Sequence, residues 1–195
     1  MQPTVFIIAL LIGVLVLCAL VSVHDFKYRK IPNKFLLAAI VYFCIIFILM
    51  FVFVPFKYAG KGLLFSIAGA MISGLILYAP YKLKQVGAGD VKLVTVFGLF
   101  LGIKGGLLTI LMGAMVGGLW ALGLAYKHGG LGHLWYNLKF MARSAYLSGF
   151  KDMGWDLRSE GAVAMPYGVA LSIGCALVAI EQLHLNIGRF MGVTP

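Results

Sequence analysis

The sequence predicts an all-α, polytopic membrane protein with about six transmembrane helices. Of its 195 residues, 62% are hydrophobic and only 11% are charged, whereas a soluble domain carries about 25% charged residues. The apolar residues also form long, continuous runs. Such runs are typical of spanning helices, because lipid offers no partners to backbone N–H and C=O groups. A β-barrel is disfavoured, since its strands would alternate apolar and polar residues.

Six apolar runs supply the predicted spans, and we expect the whole chain, 1–195, to form one membrane-embedded domain. Most of the runs have about 20 residues, which is enough to cross a hydrocarbon core roughly 30 Å thick. The fourth run is short for a full span. The predicted helices cover residues 4–23, 35–54, 63–80, 90–103, 107–126 and 163–183.

The segment 127–161 is the longest polar stretch, and its apolar residues recur at helical spacing. This pattern predicts a cytoplasmic amphipathic helix between helices 5 and 6. The helix could lie at the membrane surface or pack against the other helices. Its apolar positions are Leu131, Leu134, Trp135, Leu138, Met141, Ala142 and Ala145.

Lysine and arginine residues are distributed unevenly between the two predicted sides of the membrane. Segments after helices 1, 3 and 5 hold twelve of the sixteen, and the opposite side holds four. The positive-inside rule places the larger group in the cytoplasm of an inner (cytoplasmic) membrane protein, with both termini outside. The net charge of +10 is then explained by the lysine and arginine residues that set the membrane topology. We therefore expect contacts with membrane lipids and no nucleic-acid partner.

Asp25 and Asp90 are the only acidic residues in the first 150 positions. The charge distribution puts both at the cytoplasmic edge of the membrane, where acids are costly and usually functional. Two neighbouring carboxyl groups suit an aspartic protease, in which one takes a proton from water and the other donates to the scissile carbonyl. Helix capping or pairing with nearby lysines is the open alternative.

Two glycines, Gly87 and Gly89, directly precede Asp90. Glycine tolerates positive φ and leaves room for a second backbone. A protease needs such room, because its substrate lies extended beside the acid. Ordinary loop glycines would explain the pair equally well, and this motif alone is a weak signal.

Three segments together carry a more specific pattern. The first runs from His24-Asp25 to Pro32-Asn33, the second is Gly87-Ala88-Gly89-Asp90-Val91-Lys92-Leu93, and the third is Met165-Pro166-Tyr167-Gly168. In this order the segments resemble the prepilin peptidases, the GxGD-type membrane aspartic proteases that process type IV pilins. The resemblance covers about residues 15–180.

The resemblance implies that Asp25 and Asp90 are catalytic, without a metal or other cofactor. It implies a prepilin substrate with a hydrophobic helix, whose short basic leader is removed after a glycine at the cytoplasmic face. We expect substrate contacts at the two glycines before Asp90 and at the segment that opens predicted helix 6. A structural role for Pro166 at the start of that helix is equally plausible. The expected contacts are Gly87, Gly89, Pro166, Tyr167 and Gly168.

The chain is most similar to the short peptidases of Flp-type (tight-adherence) pili. It holds no paired CxxC motifs, which the large bifunctional members carry, so N-methylation is not implied. A preflagellin-type peptidase or another GxGD intramembrane protease remains open. An alternative from another functional class is a non-enzymatic membrane scaffold. A transporter subunit that uses the two acids as a proton relay belongs to the same alternative.

Overall fold

A computed structural model describes residues 3–83, 85–127 and 167–190, and every regular element within them is an α-helix. Five helices in these residues are long and apolar enough to cross a membrane. The predicted all-α, multi-pass membrane protein is therefore confirmed. The helices are α1 (Pro3–Tyr28), α2 (Asn33–Phe53), α3 (Phe56–Lys82), α4 (Ala88–Lys127) and α5 (Tyr167–Phe190).

A reversal at Gly102 divides α4 into two arms, 88–101 and 103–127. Gly102 has φ 70° and ψ −172°, which is not helical. A Cβ atom built on Gly106 would lie 3.1 Å from the Cα atom of Gly98. Residues eight apart in a straight helix are separated by about 12 Å, so the two arms fold back on each other. They correspond to predicted helices 4 and 5, while the exact number of crossings stays a prediction.

Some of the predicted features lie outside the described residues. The predicted amphipathic helix, with apolar positions from Leu131 to Ala145, is one of them. Pro166 and the predicted beginning of helix 6 at Val163 are two others.

α1 continues past its predicted end at Val23 and finishes at Tyr28. It ends where Arg29 adopts a positive φ of 51° and donates its N–H to the Asp25 carbonyl oxygen at 2.8 Å. A left-handed residue that closes the last turn in this way is a common helix stop. As a result, Asp25 lies in the last turn of α1 and not in the connection that follows.

The helix bundle is held together by close backbone approaches. α4 packs against α3 and α5, and α1 packs against α5, while α2 makes its main contacts with α1. The backbones of Gly69 on α3 and Gly98 on α4 are in direct contact, and so are those of Gly113 on α4 and Gly174 on α5. Small residues at such crossings let membrane helices approach closely.

The buried stripes of α1 and α4 bring Asp25 and Asp90 into the interior at one end of the bundle. On α1, Val14, Cys18 and Val21 are buried at helical spacing, and Asp25 is the next position of that stripe. On α4 the buried stripe begins one turn after Asp90 and consists of Leu93, Val94, Phe97 and Leu101. The residues that start α2 and α5 lie at this same end, which we call the site end.

Candidate active site

Asp25 is held by the first turn of α5. Its side chain is only 5% exposed, and its Oδ2 atom accepts a hydrogen bond from the Val169 N–H at 3.2 Å. The Gly168 backbone lies directly against the carboxyl group, since a Cβ atom built there would be 2.7 Å from the same oxygen. The first N–H groups of a helix have no partner within it, and α5 offers them to Asp25.

Asp90 is held by the glycine turn that precedes α4. The Gly87 N–H donates to Asp90 Oδ2 at 3.2 Å, and the Asp90 N–H donates to the Gly87 carbonyl oxygen at 3.1 Å. The turn therefore fixes both the backbone and the side chain of Asp90. Asp90 is partly buried, whereas Asp25 is buried.

The structure brings the two acids into one site. Their carboxyl groups are close enough to interact electrostatically, and Tyr167 interacts in the same way with Asp90. Gly168 touches Asp25, as described above. Of the residues predicted for the site, six therefore lie at the site end, and Pro166 is outside the described residues. Those six are Asp25, Gly87, Gly89, Asp90, Tyr167 and Gly168.

Ile31 is a site residue that sequence reasoning missed. A Cβ atom on Gly89 would lie 3.4 Å from Ile31 Cβ, and one on Gly168 would lie 3.1 Å from Ile31 Cδ1. The side chain is thus wedged between the two glycine segments that carry or contact the acids. An apolar residue within a basic connection was the available signal, but nothing in the sequence pairs it with these glycines.

His24 holds the connection that carries Ile31. Its Nδ1–H donates to the Lys30 carbonyl oxygen at 2.8 Å. Its ring packs edge-on against Phe35 with centroids 5.6 Å apart, and it contacts the Tyr28 ring at 4.7 Å. His24 therefore positions the α1–α2 connection.

Lys92 lies on a different side of α4 from Asp90. Its Nζ donates to Asn33 Oδ1 at 3.3 Å, which ties the start of α4 to the start of α2. Within residues 3–83, 85–127 and 167–190, no three His, Cys, Asp or Glu side chains are grouped so that they could hold a metal ion. The expectation of metal-free chemistry stays a prediction.

Comparison with known families adds an independent observation. The sequence profile of the type IV leader peptidase family matches residues 5–122. The chain belongs to that family. The resemblance inferred from the motifs is thereby confirmed at the level of the family. No curated protein sequence and no solved structure gives a significant match.

The matched region contains Asp25, Ile31 and Asp90 but ends before α5. The contribution of α5 to the site therefore rests on geometry alone. That geometry is the hydrogen bond from Val169 and the contact of Gly168 with Asp25. α5 packs against both α1 and α4, so it joins the two helices that carry the acids.

Proposed function

We propose that this protein is an aspartic endopeptidase of the inner membrane, which removes the basic leader peptide from Flp-type prepilins at the cytoplasmic face. The whole chain, 1–195, acts as one peptidase domain. Membership of the type IV leader peptidase family supports the peptidase activity and a prepilin as its substrate.

One observation carries the aspartic mechanism. Asp25 and Asp90 come from separate helices, yet their carboxyl groups interact in a single site. Each is oriented by a backbone N–H, from Val169 and from Gly87 respectively. Structural capping alone would account for one acid at a helix end, but it does not account for two acids from separate helices that interact at one end of the bundle.

In the proposed mechanism the two carboxyl groups share one proton, because two neighbouring carboxyl groups do not both ionise readily. The ionised group takes a proton from a water molecule as the water oxygen bonds to the scissile carbonyl carbon. The protonated group donates its proton to the carbonyl oxygen. Collapse of the resulting diol breaks the C–N bond, and a proton passes to the leaving amine of the mature pilin.

Substrate contacts are assigned to the residues that surround the acids. The contacts proposed from the described residues are Gly87 and Gly89 in the turn before Asp90, and Tyr167 and Gly168 at the start of α5. Pro166 is proposed as a further contact from its place in the sequence. The cytoplasmic position of the site follows from the excess of lysine and arginine on the segments at that end.

Co-expression with candidate substrates tests the proposal. A Flp-type prepilin should shift to lower apparent mass on a gel, and mass spectrometry should find the new N-terminus directly after a glycine. A preflagellin tested in parallel should remain unprocessed. An unchanged prepilin beside a processed preflagellin would reassign the substrate, and no processing of either would count against peptidase activity.

A further inference from the structure

A short connection joins α1 to α2 at the site end and carries Ile31. The Ile31 side chain lies between Gly89 and Gly168. Gly89 directly precedes Asp90, and Gly168 lies against the Asp25 carboxyl group. The position of this connection therefore bears on the position of both acids.

We propose that His24 and Lys92 are positioning residues for the two acids, and that they act by holding Ile31 in place. The inference rests on the proposed function. It assigns to these two side chains the task of fixing the connection on each side of Ile31. The glycine segments beside Asp25 and Asp90 then keep their spacing.

The first tie lies directly before Ile31. The His24 Nδ1–H donates to the Lys30 carbonyl oxygen at 2.8 Å, and the imidazole ring packs edge-on against Phe35 in the first turn of α2. The ring is thus bound to the connection by a hydrogen bond and to the next helix by an aromatic contact. Because His24 itself belongs to α1, one side chain fixes the connection to both of the helices that it joins.

The second tie lies two residues after Ile31. The Lys92 ammonium group donates to Asn33 Oδ1 at 3.3 Å, so the start of α4 holds the start of α2. Asparagine at a helix start commonly caps the helix with its side chain. In α2, however, Pro32 occupies the cap position and Asn33 is the first residue inside the helix. The Asn33 side chain is used for the contact with α4 instead.

Ile31 is where the two ties meet the acids. Its side chain lies 3.4 Å from a Cβ built on Gly89 and 3.1 Å from one built on Gly168, and atoms packed this closely transmit a displacement. A shift of a catalytic group by about 1 Å costs on the order of a hundredfold in rate. A direct effect of the His24 charge on the adjacent Asp25 carboxyl group is the alternative, and a double substitution separates the two.

Two substitutions at His24 separate its hydrogen bond from its ring contacts. His24→Phe keeps the ring and loses the donor, whereas His24→Asn keeps an N–H donor near the position of Nδ1 and loses the ring. With full-length prepilin in proteoliposomes, we expect His24→Phe to lower kcat about fivefold or more with KM within about twofold. His24→Asn should retain most of the rate. His184→Phe makes the same change at an exposed position in the second half of α5 and should leave the rate unchanged.

Lys92→Met and Asn33→Asp test the second tie in the same assay. Methionine keeps the length of the side chain without its ammonium group, so kcat should fall about threefold or more. Aspartate keeps the acceptor oxygen at position 33 and should retain most of the rate. Lys61→Met, which removes an exposed lysine near the start of α3, should leave the rate unchanged.

An Ile31→Ala background decides whether the ties act through Ile31. Residues that act as one unit give non-additive effects, so His24→Phe and Lys92→Met should each lower kcat by less than about twofold in that background. Undiminished effects would overturn the proposal and give His24 a direct role at Asp25. An accompanying loss of thermal stability in detergent would also overturn it, because a merely structural residue behaves in that way.

The wild-type rate separates this inference from the proposed function. If the wild-type protein processes prepilin, and His24→Phe and Lys92→Met do so as fast as their controls, the ties have no positioning role and the peptidase assignment stands. If the wild-type protein cuts no prepilin in these proteoliposomes, the proposed function fails, and this inference falls with it.

Discussion

At the scale of single residues, the site depends on positions where a side chain is missing. Gly168 and Gly89 both face Ile31, and Gly168 also faces the Asp25 carboxyl group. The absence of a Cβ atom at Gly168 lets the start of α5 come close enough for the Val169 N–H to reach Asp25. The backbone contacts at these glycines, together with the packing of the helices, therefore determine how Asp25 and Asp90 are placed relative to each other.

We predict that Gly168→Ala lowers peptidase activity. The new Cβ would lie 2.7 Å from Asp25 Oδ2 and 3.1 Å from Ile31 Cδ1, so either the carboxyl group or the start of α5 must shift. Displacement of a catalytic group by about 1 Å costs on the order of a hundredfold in rate, and we expect a loss of about tenfold or more in kcat. Gly118→Ala is the control, because a Cβ there has no neighbour within 4 Å. Equal activities for the two variants would contradict the contact.

We predict that Ile31→Ala also lowers kcat, by roughly tenfold, because the wedge between the two glycine segments is lost. Ile31→Val keeps most of the wedge and should restore most of the rate. Ile45→Ala removes a side chain of the same size from a lipid-exposed position on α2 and should have little effect. If Ile31 had only a structural role, Ile31→Ala would lower thermal stability in detergent together with the rate. If Ile31 positions the two glycine segments, the rate should fall while thermal stability is retained.

At the scale of helices, the reversal of α4 at Gly102 determines which elements meet. It lets the first arm carry Asp90 while the second arm packs on α5 through Gly113 and Gly174. The sequence predicted a break between helices 4 and 5 a few residues later. It could not place the turn, because several glycines occur in this stretch and only the backbone conformation distinguishes the one that bends.

We predict that Gly102→Ala destabilises the protein by about 1–3 kcal/mol, since φ 70° with ψ −172° is a conformation that only glycine adopts without strain. The cost is one of backbone strain, because the nearest atom to an added Cβ is the Phe65 carbonyl oxygen at 3.8 Å. Thermal or denaturant unfolding in detergent measures it. Gly118→Ala should be neutral or slightly stabilising, given the higher helix propensity of alanine. If Gly102→Ala left the stability unchanged, the reversal would not require glycine at this position.

The helices could be predicted from the sequence, but the side of each helix that is buried could not. Spans follow from the length and hydropathy of each run, and these features are local. α1 and α4 are apolar on nearly every side, so no periodic contrast marks the buried stripe that leads to Asp25 or the one that starts after Asp90. The predicted end of α1 was too early, because polar residues such as His24 continue the helix beyond its apolar run.

At the scale of the whole molecule, the arrangement gathers the sequence motifs at one end of the bundle. Charge counting had already put Asp25 and Asp90 on one side of the membrane. The motifs identified the acids and the adjacent glycines from residue type and spacing. The parts that were missed, Ile31 and the Val169 N–H, act through contacts between separate helices, and a single sequence contains no record of such pairing.

We predict that the site end faces the cytoplasm. In a Cys44→Ala background, Lys57→Cys at the start of α3 should react with a membrane-impermeant maleimide on intact cells. Arg29→Cys at the site end should react only after the inner membrane is permeabilised. Both positions are exposed, so labelling reports the side of the membrane. The opposite pattern of labelling would invert the topology and would place the acids outside.

Substitution of each acid in turn tests the central claim, that Asp25 and Asp90 form one catalytic pair. Asp25→Asn and Asp90→Asn are compared with Glu181→Gln, which changes an exposed acidic residue in the second half of α5, away from the site end. The rate of leader removal from a Flp-type prepilin is measured in proteoliposomes, with correct folding checked by thermal stability in detergent. We predict a loss of at least about a hundredfold for either asparagine variant and a wild-type rate for Glu181→Gln. A near wild-type rate for a folded Asp25→Asn or Asp90→Asn protein would contradict the paired mechanism.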